Sequence, residues 1–248
     1  MKRSKITILL AIVLGMTFHS CLDLEPQDQL GGKNMWTSVN DYKQFANTFY
    51  SWTRDFSSVV YDGTHSDKRS DLITYQSYNE FSRGINSIPS SDANYTDNYK
   101  HIRRTNLLLQ NAEAYAKPED IKQYIGEAYF FRAYSYFDLL QLYGDVIITK
   151  KPLDITDPEM KVKRNDRSEV VDLIIDDLNH AVENLPAFKE LTTEEEGRIS
   201  KEGAQAFLSR VALYEGTWQK SRNGNQNTQR SANLLDIAAK AARTVIDA

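Results

Sequence analysis

The chain has 248 residues, 41% of them hydrophobic, and a formal net charge of −4 at pH 7. This acidic balance disfavours nucleic-acid binding, which needs a basic face. The sequence contains a single cysteine, so no disulfide within the chain supports the fold. Its stability has to come from a hydrophobic core, which a chain of this length can supply.

Residues 1–20 have the pattern of a secretion signal. A basic start precedes the apolar run Ile6–Met16, which is too short to cross a bilayer. Ser20 and Cys21 follow, in an arrangement that resembles the cleavage site of bacterial lipoproteins. We therefore expect Cys21 to be the lipidated first residue of the mature protein, followed by a polar tether over residues 21–33. The alternatives are an uncleaved anchor or an ordinary buried cysteine.

Residues 34–52 are predicted to be helical because aromatic and apolar side chains recur at spacings of three and four. Thr37, Ser38 and Asp41 offer the chemistry of a helix start. Residues 53–96 show no sustained period, and their tyrosines and phenylalanines argue against disorder. We expect an ordered, loop-rich region that forms part of the surface.

Residues 97–248 are predicted to be mainly helical. The expected helices run from Asp97 to about Tyr115, from Pro118 to Tyr143 before Gly144, from Ser168 to Leu185 before Pro186, from Ser200 to about Trp218, and from about Ser231 onward, still continuing at Ala248. A short extended piece is expected at residues 145–152 and a charged loop at residues 154–166. The predicted fold class is mainly α.

Two of these helices share a sequence pattern with an offset of 78 residues, which aligns Ala128 with Ala206 and Tyr136 with Tyr214. A small residue followed by a bulky aromatic is typical of tetratricopeptide helix pairs, in which each unit buries its face on the next. We expect tetratricopeptide-like repeats interrupted by long loop-rich insertions. Two similar helices in an unrelated bundle are the alternative.

The last predicted helix has an apolar stripe with no helix after it to cover the stripe, and it lacks a stop signal. Its members are Leu234, Ile237, Ala238, Ala241, Ala242 and Val245. A helical repeat array normally closes with a polar cap. We therefore expect residues 34–248 to be the N-terminal portion of a longer domain.

Catalytic motifs are absent from the sequence. It has no Gly-x-Ser-x-Gly, phosphate loop or His-Glu-x-x-His pattern. Asp177 and His180 could share a helix face as metal ligands, but a solvated or capping role is favoured. Asp62, Asp67 and Asp71 fit no defined calcium loop. We therefore predict a protein that is not an enzyme and that has no cofactor and no metal site.

The loop-rich region has the composition of a carbohydrate-binding surface. Flat aromatic rings can stack on a sugar ring while Asp, Asn and Arg bind its hydroxyls. Tyr75, Tyr78, Asp67 and Arg83 are candidates for these roles. The alternative is that the tyrosines pack the loop onto the helices.

Several motifs together resemble the SusD/RagB family of outer-membrane lipoproteins from Bacteroidetes nutrient-uptake systems. They are Cys21–Pro26, Glu127–Tyr134 with Leu142–Val146, Asp176–Leu178 with Leu185-Pro186, and Gly197–Lys201. The resemblance implies a SusD-like helical fold packed against loop-rich segments. It also implies that Tyr95 and Asn98 face the glycan, just ahead of the first repeat helix.

The resemblance further implies a function and partners. The expected protein is a lipid-anchored lipoprotein of the outer membrane, exposed at the cell surface. It would capture oligosaccharides and deliver them to a SusC-like TonB-dependent transporter. Two alternatives remain: an anchored glycan-degrading enzyme with catalytic residues in a missing C-terminal half, and a helical scaffold for protein partners.

Overall fold

The structure is a computed structural model that describes residues 35–53, 80, 83–222 and 228–248. Trp36–Ala248 forms one compact unit. Its helices are α1 (Val39–Asn47), α2 (Ala93–Glu113), α3 (Lys122–Tyr143), α4 (Arg167–Asn184), α5 (Lys201–Arg222) and α6 (Thr228–Ile246). Short 3-10 turns lie at Thr48–Trp52, Pro118–Ile121, Pro158–Lys161, Phe188–Glu190 and Thr193–Glu195. Among the described residues, extended pairing is limited to one antiparallel bridge between Val146 and Asn165.

The predicted mainly α fold is confirmed. From α2 onward each helix packs against the next one in the chain, as in a stack of helix pairs. The central helix is α3, which is buried on most of its circumference, including Ala128, Phe131, Tyr136 and Leu140. A helix that is apolar nearly all round is expected at the centre of a fold, because it has no face to give to water.

The first helix starts where its capping chemistry places it. Ser38 caps α1, with the Asp41 backbone N–H donating to Ser38 Oγ at 3.3 Å and the Ser38 N–H donating to Asp41 Oδ2 at 2.8 Å. These reciprocal bonds satisfy donors that a helix start leaves unpaired. The predicted helix over residues 34–52 is therefore confirmed in kind, although α1 begins at Val39 and tightens into a 3-10 turn at Thr48.

The predicted start of α2 at Asp97 is wrong. The helix begins at Ala93, and its N-cap is Asp92, whose Oδ1 accepts the Asn94 N–H at 2.9 Å. A tertiary contact holds the cap, since the Tyr143 hydroxyl donates to Asp92 Oδ2 at 2.7 Å. Asp97 lies inside the helix and pairs with Lys100 instead. The first turns of α2 thus include residues that were expected to lie in the loop.

Helix α4 also starts earlier than expected, because Asp166 rather than Ser168 is its N-cap. The Asp166 N–H donates to Glu169 Oε2 at 3.0 Å. The α-helix predicted from Pro118 starts at Lys122, after a 3-10 turn over Pro118–Ile121. Its predicted end at Tyr143 is confirmed, and Gly144, whose φ of 72° favours glycine, is the C-cap. Helix α4 ends at Asn184, one residue before the predicted Leu185.

Helices α5 and α6 form the last pair. The predicted start after Ser200 is confirmed, but α5 continues past Trp218 to Arg222. Helix α6 begins at Thr228, before Ser231, and ends at Ile246 rather than continuing to Ala248. Part of its apolar stripe, namely Leu234, Ala238 and Ala241, is buried, and α6 packs closely on α5.

Residues that match in sequence at an offset of 78 do not match in burial. Ala128 is fully buried in α3, whereas Ala206 is exposed on α5. Glycines provide the close approaches instead. A Cβ on Gly126 would lie 2.9 Å from Leu185 Cγ, and one on Gly216 would lie 3.0 Å from Leu235 Cδ2. The helix pairs are real, but different small residues bring them together.

Two buried ion pairs hold the helices in register. The Arg132 guanidinium in α3 donates to both carboxylate oxygens of Asp177 in α4, at 2.8 and 2.6 Å. Arg198, ahead of α5, binds both carboxylate oxygens of Glu127 in α3 at 2.7 Å. Such bidentate pairs are directional as well as strong. Side chains of the predicted family motifs therefore lie inside the fold.

Among the helices that the structure describes, none is long and apolar enough to cross a membrane.

Candidate ligand-binding site

The start of α2 borders a small concavity with the composition of a sugar-binding site. Its volume is about 170 Å³, and it is lined by Trp52, Ala93, Asn94, Asp97, Asn98, His101, Tyr134 and Asp138. Trp52 is placed by the 3-10 turn after α1, and Tyr134 and Asp138 by one face of α3. Three elements that pack tightly against one another thus fix its walls.

Aromatic and hydrogen-bonding side chains meet in this concavity. The rings of Trp52 and His101 stack with centroids 4.1 Å apart at 14°. The Asn98 amide, which is almost fully buried, donates to the Asn94 carbonyl at 2.8 Å and is thereby held in place. Flat rings beside fixed amide and carboxylate groups can stack on a pyranose and bind its hydroxyls.

The charge of the concavity suits a neutral ligand. Its described lining includes two acidic residues, Asp97 and Asp138, and no Lys or Arg. A hydrogen bond from Lys100 lowers the pKa of Asp97, and burial lowers the pKa of His101 below 6.5. At neutral pH, Asp97 is therefore ionised and His101 neutral, so both can accept hydrogen bonds from sugar hydroxyls.

The structure does not bring all the predicted glycan-binding residues together. Asn98 lies in the concavity, but Tyr95 lines a separate groove on a neighbouring side of α2. Arg83 is exposed in the segment before α2. Asp67, Tyr75 and Tyr78 lie outside the described residues, as does Cys21.

The placement of Tyr95 and Asn98 corrects the expectation that both precede the helix. Both lie within its first two turns, and different contacts hold their side chains: Tyr95 packs against Tyr99 and Tyr143, whereas the Asn98 amide donates to the Asn94 carbonyl. Sequence reasoning did not select His101, Tyr134 or Asp138 as site residues. Their spacing in the sequence predicts core or solvent-exposed positions on a helix. The packing of α2 on α3 is what brings them beside Trp52.

The suggested metal pair is not formed. Asp177 is buried in its ion pair with Arg132, whereas His180 is partly exposed and stacks on Tyr129 with ring centroids 4.9 Å apart. Within the described part of the chain, no three His, Cys, Asp or Glu side chains cluster as metal ligands would. The Asp62–Asp71 segment lies outside those residues.

Comparison with known proteins identifies the family. Residues 22–213 match the SusD-like family described as "starch-binding associating with outer membrane". The chain is 28% identical over 233 residues to SusD-like protein P38 of Formosa agariphila, an alignment that covers 86% of this chain and 42% of the relative. The chain belongs to the SusD-like family, and it spans less than half the length of that curated relative.

Solved structures agree with this assignment. The crystal structure of a SusD-like protein from Bacteroides fragilis superposes with a TM-score of 0.64 at 23% identity, covering 90% of this chain and 40% of the other. A laminarin-binding SusD-like protein superposes with a TM-score of 0.51 at 29% identity, covering 64% and 32% of the two chains. The SusD-like helical fold is therefore confirmed.

Proposed function

We propose that this protein is a non-enzymatic glycan-binding lipoprotein of the cell surface. It captures oligosaccharides at the start of α2 and delivers them to a TonB-dependent outer-membrane transporter. The observation that carries the proposal is the concavity in which the Trp52–His101 stack meets Asn98, Asp97 and Asp138. Membership of a family described as starch-binding and the likeness to a laminarin-binding relative support it.

The concavity favours a neutral glycan, because no Lys or Arg lines it that could bind a uronate or sulfate group. Its small volume fits one sugar ring or the end of a chain rather than a long oligosaccharide. Additional contacts from Asp67, Tyr75, Tyr78 and Arg83 are part of the proposal, since those residues belong to the segment that leads into α2.

Isothermal titration against laminarin, starch, xyloglucan and an acidic polysaccharide tests the proposal. We expect binding of at least one neutral glycan, and Asn98→Ala should weaken that binding about tenfold, which corresponds to about 1.4 kcal/mol. Asn111→Ala is the matched control. Asn111 also lies in α2 and makes the same side-chain bond to the carbonyl four residues earlier, to Leu107 at 2.7 Å, but at the far end of the helix.

Equal affinity of wild type and Asn98→Ala for the bound glycan would place the site elsewhere. Analysis of the same mixtures for released sugars tests the absence of turnover, and the appearance of shorter products would move the protein into the enzyme class.

Anchoring is tested separately. If Cys21 is the lipidated residue, Cys21→Ala should release the protein from the membrane fraction. Retention of the variant in carbonate-washed membranes would contradict the anchor.

A further inference from the structure

A second, larger groove lies on the side of α2 that carries Tyr95. It has a volume of about 480 Å³ and lies between the first three turns of α2 and the segment that joins α3 to α4. Its lining is mostly apolar and consists of Tyr95, Thr96, Tyr99, Lys100, Arg103, Ile147, Thr149, Lys151, Leu153, Ile155, Glu159 and Met160. This volume and composition match those of small-molecule sites, which are about 300–1,000 Å³ and predominantly apolar.

The wall opposite α2 is fixed in place by hydrogen bonds to its backbone. The Tyr99 hydroxyl donates to the Ile147 carbonyl at 2.8 Å, and Asn106 Nδ2 donates to the Thr149 carbonyl at 2.9 Å. The Thr149 N–H donates to the Tyr136 hydroxyl at 2.7 Å. This part of the wall is therefore preformed, and a ligand would not have to order it on binding.

Large apolar side chains at the groove face water. Ile155 is 93% exposed and Met160 is 51% exposed. Scattered exposed apolar residues are ordinary, but these two lie beside a concave apolar surface that includes Tyr95, Tyr99 and Leu153. Contiguous apolar surface of this kind marks a binding site, because covering it releases hydration water.

Cations surround this apolar surface. Lys100, Arg103 and Lys151 line the groove, and Glu159 is the acidic residue among the lining side chains. Lys100 pairs with Asp97 at 2.7 Å, Lys151 with Glu159 at 2.7 Å and Arg103 with Asp154 at 3.8 Å, and the side chains of all three pairs are exposed. Exposed pairs of this kind contribute little, so a ligand anion can replace the protein carboxylates.

We propose that this groove binds a small amphiphilic anion, a molecule with an apolar ring or short chain and one carboxylate, sulfate or sulfonate group. The apolar part lies against Tyr95, Tyr99 and Met160, and the anionic group faces Lys100, Arg103 and Lys151. The site is separate from the concavity around Asn98, whose described lining has no Lys or Arg. It does not depend on the proposed glycan binding.

Two dyes with the same ring system test the proposal on the full chain. 8-Anilinonaphthalene-1-sulfonate carries an anionic group, and N-phenyl-1-naphthylamine does not. We expect saturable binding of the sulfonate by fluorescence titration. The triple variant Lys100→Gln, Arg103→Gln and Lys151→Gln should raise its dissociation constant at least tenfold and that of the neutral dye less than threefold.

The matched control removes the same number of positive charges from exposed pairs elsewhere. Lys122→Gln, Lys240→Gln and Arg243→Gln break the pairs with Glu119, Asp236 and Asp247. This control should leave the sulfonate affinity within twofold of wild type. Loss of affinity in the control equal to that in the groove variant would overturn the proposal, because it would show a general effect of net charge.

A second pair of variants tests the apolar part. Ile155→Ser with Met160→Ser should weaken both dyes at least fivefold, whereas Leu213→Ser with Ile246→Ser, which changes exposed apolar residues away from the groove, should weaken neither. Competition with ferulate and with octanoate then distinguishes a ring-bearing from a chain-bearing carboxylate. Failure of both to displace the sulfonate dye, or unchanged dye binding in the groove variants, would show that the groove is not this site.

Discussion

The charged residues of the family motifs and most of the residues that line the two candidate sites lie in different parts of the molecule. Glu127, Arg132, Asp177 and Arg198 belong to the family-like motifs and form ion pairs inside the helical stack. Asn98 and its neighbours line a surface concavity at the start of α2. The charged motif residues therefore report how the helices are held together, whereas Tyr134, at the end of one motif, also lines the concavity.

Breaking an interior ion pair should cause the largest loss of stability among the substitutions considered. Asp177→Ala leaves Arg132, which is 5% exposed, without its carboxylate. We expect a loss of about 3–5 kcal/mol in the free energy of unfolding, because an uncompensated charge stays buried. Urea unfolding followed by circular dichroism measures it, and Arg132→Met combined with Asp177→Leu should recover at least half of the loss.

An exposed ion pair provides the contrast to the buried one. Asp236→Ala removes the partner of Lys240, and it should cost less than about 1 kcal/mol because exposed ion pairs are screened by water. If the Asp177 and Asp236 variants were destabilised equally, the distinction between the two kinds of pair would fail.

An intermediate effect is expected where two elements touch through a glycine. The Cβ of Gly126→Ala would press on Leu185 Cγ at 2.9 Å and Asn184 Cβ at 3.1 Å. Overpacking costs about 1–3 kcal/mol, and the better helix propensity of alanine returns up to about 1 kcal/mol. A net loss of about 1–2 kcal/mol in thermal or urea unfolding is the expected result.

Gly203→Ala provides the contrast. Its Cβ would meet Ile199 Cδ1 at 2.6 Å, which is the far end of a flexible side chain that can move aside. We expect this variant to be neutral or stabilised by up to about 1 kcal/mol. Destabilisation as large as that of Gly126→Ala would mean that the freedom of the contacted side chain to move aside does not set the cost.

A small loss of stability is expected from substitution at the surface cap of α1. The pKa of Asp41 is lowered: burial opposes this shift, but the hydrogen bonds from Ser38 and Thr37 outweigh it. The carboxylate therefore stabilises the fold above its unfolded pKa near 3.8, and this contribution is lost as the pH falls through the lower folded value. Asp41→Ala should cost about 0.5–1 kcal/mol near neutral pH.

The free energy of unfolding, measured from pH 6 down to pH 3, checks the direction of the pKa shift assigned to Asp41. The difference between wild type and Asp41→Ala should shrink on acidification, and a difference that grows would contradict the assigned direction. Ser38→Ala, which removes the other half of the same capping box, should show a cost that depends less on pH.

Much of the fold could be predicted from local chemistry. Ser38 and Ser200 mark the starts of α1 and α5. Pro118 begins the turn that leads into α3, and Gly144 follows the end of α3. Each of these residues acts through backbone atoms a few residues away. The starts of α2 and α4 were misplaced where several Asp and Ser side chains could act as caps. Asp92 is selected by a bond from distant Tyr143, which no local pattern contains.

The candidate site was predictable only in part, for the same reason. Asn98 was identified through a family resemblance, whereas His101, Tyr134 and Asp138 become site residues only because α2 and α3 are neighbours. Tyr95 shows the reverse case. It is aromatic and close to Asn98 in sequence, yet its ring packs against Tyr99 and Tyr143 and lines the other groove.

Part of the wall of the larger groove is held through its main chain. Tyr99, Asn106 and Tyr136 bind main-chain atoms of Ile147 and Thr149, and Asn106 in turn accepts a hydrogen bond from Arg132 at 2.8 Å. A substitution of the Ile147 side chain can therefore alter what the groove recognises while the bond to the Ile147 carbonyl persists. With this arrangement, ligand preference can change during evolution through single side-chain substitutions while the backbone keeps its position.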